Sequence, residues 1–384
     1  MHILIISHGY PTAKDPQWGC FEKDQAEALV RLGHKVTIAA VDGRYRKLDR
    51  KHGITHYQDG TINGYVIYYF PLSFLCNYKL ILAIRRRMMS TLFKHIVEKE
   101  GLPDVVYAHY AVGMYQSAVI KQSYNIPVLG IEHWSVLNKP VLSKAERCRC
   151  GEGYEVVDKL LAVSPSLQTQ IKKHFGKDSE VLYDMVNEIF LQQPLIEKPF
   201  RKPFKFVSVG SLNHWKSFDV LIDAFNGIKD KNAQLYIVGE GGDRNALEEL
   251  IKKLLLSDRV HLLGRLDKPS IIQRLSDSDA FVLPSRGETF GVAYVEALAM
   301  GLPVIATRCG GPESFMTDEC GLMVDVDDVE GLTAAMDRMQ ETINSYDPNA
   351  IREYIRSRFS ASEIAKQIEN HLNSAIGGGV NTVS

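Results

Sequence analysis

No stretch of the chain approaches the roughly 18 consecutive apolar residues that a membrane span requires. The formal net charge is −1, so no global electrostatic argument favours nucleic acid as a partner. Cysteine is scarce, with six in 384 residues, and Cys148-Arg149-Cys150 has neither zinc-like spacing nor a second pair nearby. A reducing cytoplasm fits this usage. The chain lacks the basic, apolar and small-residue succession of a leader, because His2-Ile3-Leu4-Ile5-Ile6 already reads as a buried strand. It also lacks a GxGxxG dinucleotide fingerprint after that strand. The expectation is a cytoplasmic protein, at most peripheral on the inner face of a membrane.

What is present is ordinary globular material. Apolar residues make up 45% and charged residues 24%, in a chain long enough for two domains. The stretch Asp279–Glu313 organises the rest. Ala280–Leu283 is short and apolar enough for a buried strand, and Pro284-Ser285-Arg286-Gly287 breaks it. Val292 to Met300 has helix-forming composition, Gly301 sits at a C′ position, and Pro303–Thr307 resumes as a strand. This is a βαβ unit, hence a parallel sheet. The helix start offers free N–H groups and a partial positive charge to an anion. Glu296, one turn in, leans back toward that start. A carboxylate there suits hydroxyls such as a ribose diol, so the chemistry suggested is recognition of a nucleotide sugar.

Glu288 and Glu296, with Phe290-Gly291 between them and Gly301-Leu302-Pro303-Val304-Ile305-Ala306 after, resemble the donor-site motif of the retaining GT-B glycosyltransferases of family four. The resemblance implies two Rossmann-like α/β domains facing an interdomain cleft. Residues 1–197 would form the acceptor side and 204–358 the nucleotide-sugar donor domain. A helix over 359–376 would cross back to the first domain, and 377–384 would be a disordered tail. Pro194, Pro199 and Pro203 mark the linker.

Several further residues take roles from the same resemblance. After the strand Phe204–Val209 comes Gly210-Ser211-Leu212-Asn213-His214-Trp215-Lys216. The family carries an arginine after the glycine and a lysine five residues later, which together hold the donor diphosphate. Lys216 supplies the lysine, but Ser211 replaces the arginine, so phosphate clamping falls more heavily on Lys216 and helix amides. The backbone around Leu266 would hold the base. The Phe290-Gly291-Val292 amides would take phosphate and sugar, Glu288 the sugar hydroxyls and Glu296 the ribose. On the acceptor side, His109 ends one strand and His133 follows another, at the end where ligands gather in parallel sheets. By itself a strand-end histidine is more often a satisfied structural residue; family context favours function for His109 and leaves His133 open. Gly19 corresponds to a cleft-facing loop, or is a plain turn residue. Ser164 resembles the family's serine at a strand end. Catalytic assignments fall on Glu288, His109 and Lys216.

The resemblance implies transfer of a sugar from a nucleotide diphosphate sugar to a hydroxyl of a glycan or lipid-linked acceptor, with configuration retained. The leaving diphosphate would help to deprotonate the acceptor. No cofactor is expected, and no metal: Asp277-Ser278-Asp279 has Asp-x-Asp spacing but precedes its strand, so its aspartates read as helix-end and turn residues. Phe70–Met89, apolar nearly all round and followed through Arg85-Arg86-Arg87, is either a core helix whose arginines cap an exposed end or a patch meeting an anionic membrane surface. Two rivals share the architecture: a nucleotide-sugar epimerase, which would turn over donor alone, and a non-catalytic nucleotide-sugar-binding subunit, which Ser211 would suit.

Overall fold

The computed structural model describes residues 1–43, 52–70, 78–195 and 203–378. They divide into two compact units. One comprises Met1–Val163, Leu167–Tyr183 and the C-terminal segment from Ala361; the other comprises Ser164–Ser166 and Asp184–Ser360.

The first unit opens with β1 (His2–Ser7), α1 (Cys20–Arg31) and β2 (Lys35–Asp42), followed by β3 (Gly53–Asp59) and β4 (Ile62–Tyr68). The long α2 (Tyr78–Glu100) leads to β5 (Val105–His109), α3 (Tyr110–Tyr124), β6 (Val128–Glu132), α4 (Lys144–Tyr154), β7 (Lys159–Ala162), α5 (Pro165–Phe175) and β8 (Glu180–Val181). The sheet order is β3-β4-β2-β1-β5-β6-β7-β8. Only β3 and β4 pair antiparallel among the described strands. Ile3–Ile6 on β1 and Val105–Ala108 on β5 are fully buried, as continuous apolar strands covered on both faces should be. Burying each large side chain contributes about 1.5–3 kcal/mol.

The second unit contains α6 (Glu188–Leu191), β9 (Lys205–Val209), α7 (Phe218–Gly227), β10 (Gln234–Val238), α8 (Arg244–Lys253), β11 (Val260–Leu262) and α9 (Lys268–Ser276). It continues through β12 (Ala280–Leu283), α10 (Val292–Ala299), β13 (Val304–Thr307), β14 (Gly321–Val324), α11 (Val329–Thr342) and α12 (Pro348–Phe359). Its sheet is β11-β10-β9-β12-β13-β14, parallel throughout. Helix starts follow capping chemistry: the Asp267, Asp328 and Asp347 carboxylates accept from Ser270, Gly331 and Asn349 amides at 2.8–3.0 Å. Phe290, Phe315 and Phe359 pack edge to face beneath α10, with centroids 5.4–6.2 Å apart. The described residues end in α13 (Ala361–Gly378), which packs on α1, β5 and β6 of the first unit and places Glu369 3.1 Å from His34.

β4 forms a hairpin with β3, an arm that sequence reading passed over. The β3 pattern is mostly exposed and polar, as an edge strand allows. Two expectations change. The arginine triplet lies in the middle of α2 and caps no helix end. Arg85 Nη2 donates to Val41 O at 2.8 Å and Arg86 Nη2 donates to Gln122 Oε1, while Arg87 is exposed. Residues 71–77 of the proposed patch, 196–202 of the linker and 379–384 of the tail fall outside the described residues. Gly377 and Gly378, assigned to a disordered tail, are the last residues of α13.

Candidate functional site

In an open parallel sheet, ligands collect outside the C-terminal ends of the strands where the order reverses. In the second unit β9 leads outward to β10 and β12 leads outward to β13, so that point lies between β9 and β12. The loop after β9 brings Lys216 there on a single 3-10 turn, His214–Lys216, which is capped by Asn213 Oδ1 accepting from Trp215 N at 3.0 Å. The loop after β12 brings Ser285 and Glu288. Lys216 Nζ donates to Glu288 Oε1 at 2.5 Å, and Ser285 Oγ donates to the same oxygen at 2.7 Å. Thr307 Oγ1 in turn donates to Ser285 O at 2.5 Å. Glu288 is only 8% exposed, so this carboxylate is fixed from behind and engaged in front.

Arg286 joins the two loops. Its N–H donates to Trp215 O at 2.8 Å and its Nη1 to His214 O at 2.7 Å, while Asp327 and Asp219 accept from the guanidinium at 2.6 and 3.3 Å. Those carboxylates neutralise it. Gly210 lies under the Lys216 stem, and a Cβ on Gly239 would come 1.8 Å from Gly210 O, so the two turns interlock. Ser211 is exposed.

Gly291 starts α10 at φ +100°, a conformation glycine adopts without penalty. The Phe290 ring is 1% exposed in its aromatic cluster, so what Phe290 offers the site is its main chain. Val292 begins the helix, with Glu296 half-buried a turn inside. Leu266, half-buried, stands beyond β11 in a loop turned by Gly264 at φ +74°. The structure thus gathers Gly210, Lys216 and Glu288; Leu266 and Glu296 occupy separate positions on the loop after β11 and on α10. Asp277 follows the last residue of α9, and Asp279 Oδ2 accepts from Lys205 N at 2.8 Å. Among the described residues no group of three or more His, Cys, Asp or Glu side chains could hold a metal ion.

In the first unit the reversal lies between β1 and β5. His109 ends β5 at 1% exposure, its Nδ1 3.1 Å from His133 Nε2, with the rings stacked 5.2 Å apart and 5° from parallel. Burial lowers His109 to about pKa 3 against the opposing pull of Glu22, so the ring is neutral. His133 is set by Glu132: Oε1 of this buried carboxylate accepts from His133 N and Trp134 N at 3.0 Å each, and Oε2 from Ala111 N and Tyr154 Oη at 3.0 and 2.9 Å. Burial raises the Glu132 pKa. Gly19 precedes α1 at φ +82°, where a Cβ would come 2.4 Å from Gly9 O. Ser164 is fully buried after β7.

Around these histidines stand residues that sequence reading passed over: His8, Trp18, Glu22 and Tyr110. Tyr110, at φ +60°, lies between His8 and His133, with ring centroids 5.1 and 5.0 Å away. The signal that found His109, a histidine at a strand end, also marks His8.

Residues 193–358 match the family described as "Glycosyl transferases group 1", and residues 23–188 match "Glycosyltransferase Family 4". Over 372 residues the chain is 24% identical to N-acetyl-alpha-D-glucosaminyl L-malate synthase of Bacillus anthracis, covering 91% of this chain and 92% of that one. It is 26% identical to a putative teichuronic acid biosynthesis glycosyltransferase of Bacillus subtilis, covering 96% and 97%. Among solved structures, sucrose-phosphate synthase from Thermosynechococcus elongatus superposes with a TM-score of 0.79 at 20% identity over 98% of this chain and 99% of that one. HepE of Anabaena in complex with UDP-glucose superposes with 0.73 at 19% identity over 97% and 100%. Fold, motif and both family matches agree: the chain belongs to the group 1 glycosyltransferases of family four and has the GT-B fold.

Proposed function

We propose that the protein moves a sugar from a nucleoside diphosphate sugar to a hydroxyl of a glycan or lipid-linked acceptor in polysaccharide or glycolipid synthesis, with configuration retained. The observation that carries this reading is the pairing of Lys216 with Glu288 where the strand order of the second unit reverses, beside the start of α10. A cation and helix amides stabilise negative charge that grows on the diphosphate as the glycosidic bond breaks, a contribution of roughly 10²–10³ in rate per well-placed donor. Arg286 is held by Asp219 and Asp327, so with Ser211 in the usual arginine position the charge falls to Lys216 and the α10 amides. Glu288 suits the transferred sugar, Glu296 the ribose, and the main chain near Leu266 the base. UDP is the nucleotide proposed for the first test, because HepE binds UDP-glucose. His109, His133 and the Gly19 turn would line the acceptor side.

Neither a cofactor nor a metal is part of this proposal; Asp277 and Asp279 serve the end of α9 and the start of β12. No helix among the described residues is long and apolar enough to cross a membrane. Peripheral contact with an anionic membrane surface would rest on Leu80 and Arg87, both exposed on α2, since Arg85 and Arg86 bond to the protein itself. The deciding experiment is a thermal-shift panel of nucleotide sugars followed by mass spectrometry of products with candidate acceptors. Stabilisation by UDP-sugars and a glycosylated product are expected; donor turnover to an epimer without acceptor would overturn the transferase reading.

A further inference from the structure

Lys216 stands on a support that is too short to hold itself. The 3-10 turn His214–Lys216 has three residues, and Ser217 bends the chain away from it at φ +53°. Asn213 fixes the start of the turn, accepting from Trp215 N through Oδ1 and from Lys216 N through its carbonyl, both at 3.0 Å. The carbonyls of the turn need donors as well. Arg286, from the loop after β12, supplies them: its main-chain N–H meets Trp215 O at 2.8 Å and its Nη1 meets His214 O at 2.7 Å.

The rest of the guanidinium is fixed from two other places. Nε donates to Asp327 Oδ1 at 2.6 Å, in the loop after β14, and Nη2 donates to Asp219 Oδ2 at 3.3 Å, in the first turn of α7. Asp327 itself stands at φ +59°, a backbone conformation that aspartate tolerates better than most residues. The Arg286 side chain is 15% exposed. One side chain therefore ties together the loops after β9, β12 and β14 and the start of α7. Two of those loops carry Lys216 and Glu288, and every residue named belongs to the second unit.

We propose that Arg286 is a positioning residue for diphosphate binding: its fork fixes the His214–Lys216 turn, so that Lys216 Nζ stands where the diphosphate arrives. This role rests on the transferase reading above and deepens it. With serine at position 211, Lys216 carries the side-chain charge of the site, so affinity for a diphosphate depends on where that one lysine is held. Asp219 and Asp327 neutralise the guanidinium, so its contribution is geometric and passes through Lys216. Arginine suits the task because its planar fork presents five N–H donors in fixed directions. An ammonium on a flexible stem cannot reach His214 O and both aspartates at once.

Titration calorimetry on the full chain with UDP, ADP and GDP tests the role, with circular dichroism to confirm folding. Arg286→Gln should weaken the nucleotide that the parent binds by roughly tenfold, within the range over which residues of one network couple. Arg286→Lys keeps the charge and should lose nearly as much; parent affinity in Arg286→Lys overturns the proposal. A double-mutant cycle with Lys216→Ala supplies the readout that a merely structural role would not move. If Arg286 acts through Lys216, either Arg286 variant made in the Lys216→Ala protein should change affinity by less than about twofold. A full additional loss in that background would mean that Arg286 supports the whole loop region or touches the diphosphate itself, and would overturn the proposal while leaving the transferase standing. Should Arg286→Gln fail to fold, Arg286→Lys carries the same cycle. A parent that binds none of the three nucleotides, or a Lys216→Ala protein that binds like the parent, removes the donor-site reading and this role with it.

Discussion

Lys216 Nζ lies 2.5 Å from Glu288 Oε1, so the cation assigned to the diphosphate and the carboxylate assigned to the sugar hold each other across the reversal between β9 and β12. Each therefore sets the other's charge environment. Lys216→Ala should weaken UDP binding by about 2–3 kcal/mol, the cost of losing a charged partner to a phosphate. Glu288→Gln should bind UDP at least as tightly as the parent, because it frees Lys216 and removes a negative charge. Titration calorimetry with UDP checks both, and unchanged affinity in Lys216→Ala would take that residue out of the site.

Immediately after Lys216, Ser217 sits in the left-handed region at φ +53°, ψ +42°, and its buried Oγ has no hydrogen-bond partner among the described residues. Both features cost free energy. Ser217→Gly removes them together, offset partly by greater freedom in the unfolded chain. A net gain of about 0.5–1 kcal/mol is expected, read as a rise in Tm or in the denaturant midpoint. Destabilisation would show that the hydroxyl has a use in the folded protein.

Acid should destabilise the first unit through His109. Its ordinary pKa of 6.5 falls to about 3 in the folded state, chiefly by burial. Between those values the unfolded chain takes up a proton that the native ring refuses, so stability is full above about pH 6.5 and declines as pH falls toward 3. Glu22, lowered from 4.5 to about 2, adds a second loss in the same direction below pH 4.5. Chemical denaturation at pH 7 and pH 5 should show the difference in the parent and a flatter profile in His109→Gln. An equal slope in both would assign the acid sensitivity elsewhere.

Much of this architecture was legible because strands buried on both faces are unbroken apolar runs, and Ile3–Ile6 or Ala280–Leu283 admit no other reading. Edge strand β3 was not, since His56, Gln58 and Asp59 are exposed and what holds the strand comes from β4, Tyr10 and Lys23, which no local pattern announces. The arginine triplet was misread because composition cannot show that α2 passes beside β2, where Arg85 finds the Val41 carbonyl. Lys216 and Glu288 were readable from the phrases around them. The pairing of His8 Nδ1 with Glu22 Oε1 at 2.5 Å was not, because its members come together only once the loop carrying Trp18 folds back onto His8 and α1 starts at Gly19.

Glu288 and Glu296 should fail differently. Glu296 stands a turn inside α10 and is assigned to the ribose, which is unchanged between ground state and transition state. Losing it removes uniform binding, so Glu296→Gln should raise donor KM and leave kcat nearly intact. Glu288 lies in the loop before α10, pinned by Ser285 and Lys216 and nearly buried. Its contact with the transferred sugar can strengthen as positive charge develops at the anomeric carbon, and Lys216 relies on it for position. Glu288→Gln should therefore depress kcat more than KM, even while UDP binding holds or improves. Steady-state kinetics with an identified acceptor, with circular dichroism to confirm folding, separates the two. If Glu288 affects only donor KM and Glu296 only turnover, the roles are exchanged; full activity in both variants would remove the donor-site reading of this loop and helix.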